Sequence, residues 1–131
     1  MNAVEHIYQA WDEALGVKDL DAALALYRPD ALLESPLVCH LLGTDQGIVR
    51  GHGELRPFVE QVFARQPPER RRFRVGYRTD GTRLTSEYPR EPGRRPDGPG
   101  RVMEIRDGLI QCHRVYWGWY AVGMLRGERH P

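Results

Sequence analysis

Arg101 and Arg114 are the side chains whose placement raises a chemical question first. They flank an Asp107-Gly108 turn, and a strand period counted outward from it sets them opposite each other. Two guanidinium groups side by side in an interior are costly without an anion. Glu34, another carboxylate, or a ligand carboxylate or phosphate would satisfy them. The plainer reading puts one or both in solvent at a rim. Tyr116 shares their face. Tyr116 and Tyr8 can donate a hydrogen bond to a ligand carbonyl, or can pack with satisfied hydroxyls. His113 and Glu104 are residue types suited to general acid/base work. The same count sends both to the other face, where they would support strand pairing or a subunit contact. A slip of one residue would turn both inward. His40 and His52 are read as surface histidines, or as groups at the mouth of a pocket.

These residues need elements to position them. Val4, Ile7, Tyr8, Trp11 and Leu15 recur at helical spacing. Asn2 with Glu5 resembles a capping box, and Gly16 is a natural stop. A second helix is expected from the N-cap Asp19, with Leu20, Ala23, Leu24 and Tyr27 on its buried stripe and Pro29 ending it. Residues 31–36 read as a short strand closed by Pro36, and residues 37–50 are ambiguous, Gly43 and Gly47 suggesting a loop with room for a helical turn. A third helix starts near Gly51, with Leu55, Phe58, Val59, Val62 and Phe63 as its stripe and Pro57 early enough to be tolerated.

After residue 72 the period changes to two. Asp80-Gly81 predicts a hairpin that pairs Tyr77 with Leu84, Val75 with Ser86, Phe73 with Tyr88 and Arg74 with Glu87. Residues 90–100 read as a proline- and glycine-rich loop. The second hairpin pairs Ile105 with Ile110, Met103 with Cys112 and Arg101 with Arg114. Its faces are Arg101, Met103, Ile105, Ile110, Cys112, Arg114 and Tyr116 on one side, and Val102, Glu104, His113, Val115, Trp117 and Trp119 on the other. Both carry large apolar groups, so both are expected to be covered, one by helices and one by another subunit.

The 131 residues are a usual length for a single domain, read as 1–131. Hydrophobic residues at 40% and charged residues at 28% are those of a globular protein. The net charge of +1 provides no field to attract nucleic acid or membrane. Arg70-Arg71-Arg72 has no aromatic platform beside it and reads as a solvated segment. No apolar run spans a bilayer and no secretory leader is visible, so the expected location is cytoplasmic. The 2 cysteines, Cys39 and Cys112, are then expected as free thiols. No spacing suggests a metal site, and none is expected.

The stretches Asp19–Tyr27, Asp30–Pro36, Gly51–Phe58 and Asp107–Ile110, in that order, resemble the nuclear transport factor 2-like superfamily. Residues 87–90 and 114–119 resemble an uncharacterised SnoaL-like subgroup. The resemblance implies an α+β, cystatin-like cone-shaped barrel, with three N-terminal helices packed on a curved antiparallel sheet. It implies a deep pocket between helices and sheet, and dimerisation through the outer sheet face, here Val115, Trp117 and Trp119. The aspartate base of ketosteroid isomerases falls at Ser35, and the first-helix oxyanion-hole tyrosine at Trp11. The second oxyanion-hole acid falls near Arg101. The aspartate that closes the last strand in many SnoaL-like proteins falls near Gly118. A serine does not replace a carboxylate base without a base of its own. Either Glu34 or Ser35 faces inward, because neighbours on a strand point to opposite sides. If Glu34 does, a carboxylate base survives.

The expected pocket is lined by Tyr8, Trp11, Ser35, Phe58, Arg101, Met103, Cys112, Arg114 and Tyr116. Glu34, Arg114 and Tyr116 are the candidates for orienting and polarising a ligand. The resulting expectation is a pocket protein needing no metal or organic cofactor. It would act as an isomerase, cyclase or hydrolase on a small, largely apolar carbonyl compound. The alternatives are a non-catalytic ligand binder or a dimerisation module of the same fold. Trp11, Met103 and Phe58 filling the interior would favour the last.

Overall fold

Asn2 caps the first helix, its side chain accepting the Glu5 amide at 2.8 Å. Helix α1 runs Ala3–Val17, so Gly16 does not stop it; the left-handed residue is Lys18, at φ 58°. Its apolar stripe lies in the core, and Asp12 is buried with it. The computed structural model describes residues 2–65, 77–87 and 100–116.

Helix α2, Leu20–Leu24, is a short turn capped by Asp19. It ends before Tyr27. Strand β1 begins there and runs Tyr27–Glu34, absorbing Pro29 and the segment expected as a shorter strand. Ser35 then caps a further helix, α3, Pro36–Leu42, its hydroxyl accepting the Leu37 amide at 3.1 Å. Pro36 therefore starts a helix rather than only closing a strand, as suits a residue with no amide hydrogen. Gly43 at φ 66° ends α3, strand β2 spans Ile48–Arg50, and helix α4 spans Gly51–Arg65. The expected loop at 37–50 thus holds a helix and a strand.

Strands β3 (Arg78–Thr79), β4 (Arg83–Glu87), β5 (Gly100–Arg106) and β6 (Leu109–Tyr116) complete a six-stranded sheet in the order β2-β1-β6-β5-β4-β3. Pairing is antiparallel throughout except between β1 and β6, which run parallel. The first hairpin pairs Thr79 with Leu84 and Arg78 with Thr85, two positions away from the expected register. The Asp80 carboxylate accepts the Thr82 and Arg83 amides at 3.0 and 2.8 Å, which widens the turn beyond Asp80-Gly81. The other expected pairs of this hairpin involve Phe73, Arg74, Val75 and Tyr88, outside the described residues. The second turn is as expected: Asp107 at φ 53° and Gly108 at φ 80° suit the tight hairpin that Asp-Gly favours.

The decisive irregularity lies one step up β6. Ile105 pairs with Ile110, but Glu104 pairs with Cys112, so Gln111 is an extra residue, a β-bulge. Every side chain beyond it changes face. Met103 faces His113, Arg101 faces Val115, and Val102 faces Arg114. The α+β fold class is as expected, with helices on one face of the sheet and the buried residues of α1, α4, β1 and β4–β6 forming one core. Among the described residues no helix is long and apolar enough to cross a membrane. Cys39 and Cys112 are free thiols.

Candidate functional site: a buried tyrosine, histidine and arginine

The inner face of the sheet carries charge and hydrogen-bonding groups at places that cost free energy to fill with them. Tyr27, at 1% exposure, opens β1; His113, also at 1%, lies on the adjacent β6. The Tyr27 hydroxyl is 2.7 Å from His113 Nδ1. The two rings stack, and Trp11 from α1 meets both edge-on, its centroid 6.4 Å from Tyr27 and 6.1 Å from His113. Burial, and then the positive charge of Arg101, push the His113 imidazole from 6.5 to about 3. The ring is therefore neutral at physiological pH. A phenol that donates to Nδ1 leaves the ring hydrogen on Nε2.

Arg101 on β5 is 2% exposed and donates from Nε to Ser86 Oγ at 2.9 Å, across the β4–β5 pair. Its Cζ sits 5.9 Å from the centre of the Tyr8 ring, a cation–π contact. Asp12 follows Tyr8 by one helical turn and is 2% exposed. It is the buried carboxylate among the described residues, as Arg101 is the buried guanidinium. The Trp11 indole nitrogen has no hydrogen-bond partner among the described residues. From outside, His52 Nε2 donates to the Tyr27 carbonyl at 2.9 Å and steadies the start of β1.

Five of the expected pocket residues meet here or close by: Tyr8, Trp11, Phe58, Arg101 and Met103 are all buried in the interior. Four do not. Cys112, Arg114 and Tyr116 are carried to the outer face by the Gln111 bulge, and Ser35 spends its hydroxyl on the α3 cap. Burial pushes the Cys112 thiol up, which disfavours a nucleophilic thiolate. Glu34 is exposed and pairs with Arg114 on the outer face at 3.8 Å, so of the two alternatives at 34 and 35 it is not Glu34 that faces inward. The same Arg114 reaches Glu104 at 3.4 Å, and Glu104 reaches Arg83 at 3.6 Å. Val115 moves the other way, joining Arg101 on the inner face. Trp117 and Trp119 lie outside the described residues. Of the pair His113 and Glu104, only His113 turns inward.

Helices covering one face of the sheet, together with this strand order, define the architecture. The chain has the nuclear transport factor 2-like fold. It superposes on a SnoaL-like protein of unknown function from Burkholderia thailandensis with a TM-score of 0.72 at 16% identity, over 88% of this chain and 95% of that one. A nuclear transport factor 2-like protein of unknown function from Burkholderia pseudomallei gives 0.72 at 20% identity, over 95% and 98%. A protein with a ketosteroid isomerase-like fold from Catenulispora acidiphila gives 0.65 at 16%, over 94% and 93%. No protein-family model matches the sequence, and no curated protein matches it. Likeness at these identities carries the nuclear transport factor 2-like fold and leaves the chemistry to the side chains.

Sequence reading missed Tyr27, Asp12 and Ser86. Asp12 was within reach, since it sits one turn from Tyr8 on the stripe side of α1. Tyr27 was masked by its spacing from Ala23 and Leu24, which continues a helical stripe. Ser86 depends on the register of β4 against β5.

Proposed function

We propose that this chain is a small-molecule pocket protein of the SnoaL-like kind, binding a small, largely apolar carbonyl compound in the interior of the cone. The observation that carries the reading is the Tyr27–His113 hydrogen bond of 2.7 Å, buried beside Arg101. Buried polar groups of this kind fix the orientation of a ligand in an otherwise apolar site. Arg101 provides positive charge and the Tyr27–His113 pair a polar end, while Trp11 and Phe58 provide apolar surface; Met103, fully buried, fills the core, the feature that favours a dimerisation module of the same fold. With an imidazole that stays neutral down to about 3, His113 is a poor base at neutral pH, so binding and polarisation are favoured over proton abstraction.

The test is a thermal-shift panel of small apolar ketones, esters and lactones, each beside its matching alcohol. Carbonyl compounds should raise the melting temperature of the wild type more than their alcohols do. The preference should shrink in Arg101→Met. A folded wild type that no carbonyl compound stabilises would sink the reading.

A cofactor-free isomerase, cyclase or hydrolase of the same pocket is the second reading. Asp12, a buried carboxylate on the same helix as Tyr8, favours it. The stabilising compounds should then be turned over, as followed by NMR, and Asp12→Asn should abolish turnover while leaving binding.

A further inference from the structure

A concavity lies away from the buried constellation and shares no residue with it. It is a groove of about 400 Å³ between α3, the 44–48 segment and α4. That volume is within the range of small-ligand sites. Its accessible apolar lining is the half-buried Leu42 and Ile48 and the exposed Pro57, with Val38 and Val49 buried behind them. Among the described residues, its charged side chains are Asp45 and Glu54, and no Lys, Arg or His lines it.

The rim is built rather than loose. Thr44 Oγ1 donates to the Gln46 carbonyl at 2.8 Å, bracketing Asp45. The Gly47 carbonyl accepts the Ser35 amide at 2.8 Å. A Cβ on Gly47 would meet the Ser35 carbonyl oxygen at 3.1 Å, so this glycine allows the close approach. Glu54 Oε1 accepts the Arg50 amide at 3.0 Å, which holds the carboxylate at the start of α4. On the α4 wall, a Cβ on Gly53 would meet nothing within 4 Å. The wall is open where any other residue would begin to fill it.

We propose that this groove binds a small organic cation with an apolar body, such as an aryl- or alkylamine. The apolar part lies on Leu42, Ile48 and Pro57, and the ammonium group lies between Asp45 and Glu54. Charge complementarity selects the class: an apolar floor accepts many bodies, but two carboxylates with no basic lining residue reject an anion. The site does not depend on the interior reading.

The experiment uses the full chain and three probes of one shape: phenethylamine, phenethyl alcohol and 3-phenylpropionate, titrated by amide NMR at fixed pH and ionic strength. Phenethylamine should saturably shift the amides of residues 44–49 and 53–56. The alcohol should bind more weakly, and the acid should cause no saturable shift. Asp45→Asn and Glu54→Gln should each weaken the amine about two- to fivefold, the range of a partly exposed ion pair. Gly53→Leu fills the groove without a clash and favours the helix, so it should abolish the shifts with an unchanged or higher melting temperature. Equal binding of the acid or the alcohol would overturn the proposal. So would undiminished amine binding by Gly53→Leu, or no saturable shift with any probe.

Discussion

His113 is the residue at which burial has the largest thermodynamic consequence. The unfolded chain takes a proton on this ring near pH 6.5, whereas the folded chain resists it down to about 3. The stability present above pH 6.5 is therefore lost progressively as pH falls toward 3. The slope approaches about 1.4 kcal/mol per pH unit inside that window. Denaturant titrations at pH 7, 6, 5 and 4 should show it, and His113→Gln should flatten it. Asp80 acts in a separate, lower window: three hydrogen bonds from Thr82 and Arg83 hold its carboxyl at about 2 against 3.8, so its contribution is lost only below pH 4. A loss between pH 6.5 and 4 thus reports on the histidine. Tyr27→Phe removes the hydroxyl bonded to Nδ1 and should cost about 1–3 kcal/mol, the penalty for stripping a buried polar group of a partner.

At the scale of elements, the caps and turns were legible and the interruptions were not. Asn2 and Asp19 cap their helices as their residue types require, and Asp107-Gly108 makes its tight turn. The five interior residues Tyr8, Trp11, Phe58, Arg101 and Met103 followed from helical and strand periods. A bulge leaves no mark in composition: Gln111 is an unremarkable residue on a strand, yet it turns His113 inward and sends Arg114 out. Three of the nine expected pocket residues, Cys112, Arg114 and Tyr116, were lost at that one position. Ser35 falls where the isomerases carry their base and was expected to line the pocket, but its hydroxyl closes the first turn of α3. Ser35→Ala should therefore cost about 1 kcal/mol, as loss of an N-cap does, and should leave interior ligand affinity unchanged. Urea denaturation together with the carbonyl panel separates the two roles, since a pocket serine would lose affinity instead.

At the scale of the molecule, the outer sheet face is left uncovered by the described residues. We propose, as the sequence pattern suggests, a homodimer through it, now on different residues. Glu34, Arg114, Glu104 and Arg83 occupy β1, β6, β5 and β4, four neighbouring strands, and contact one another in series. The signs run minus, plus, minus, plus, and Tyr116 beside them is 56% exposed. A twofold axis along the strands, between β5 and β6, would bring β6 of one copy over β5 of the other and β1 over β4. Each charge then faces its opposite, the self-complementary arrangement that a twofold interface requires. Sedimentation velocity should show a dimer that weakens as salt rises. Arg114→Glu sets like charges against each other at the centre and should favour the monomer. Combining it with Glu104→Arg restores opposite charges across the central β6–β5 contact between the copies, while leaving like neighbours within each chain, and should recover part of the association. A dimer indifferent to Arg114→Glu would place the contact elsewhere, and a monomer at every concentration would remove it. Each pair is partly exposed and worth little alone, so the response of the double variant, rather than the strength of any one bridge, carries the argument.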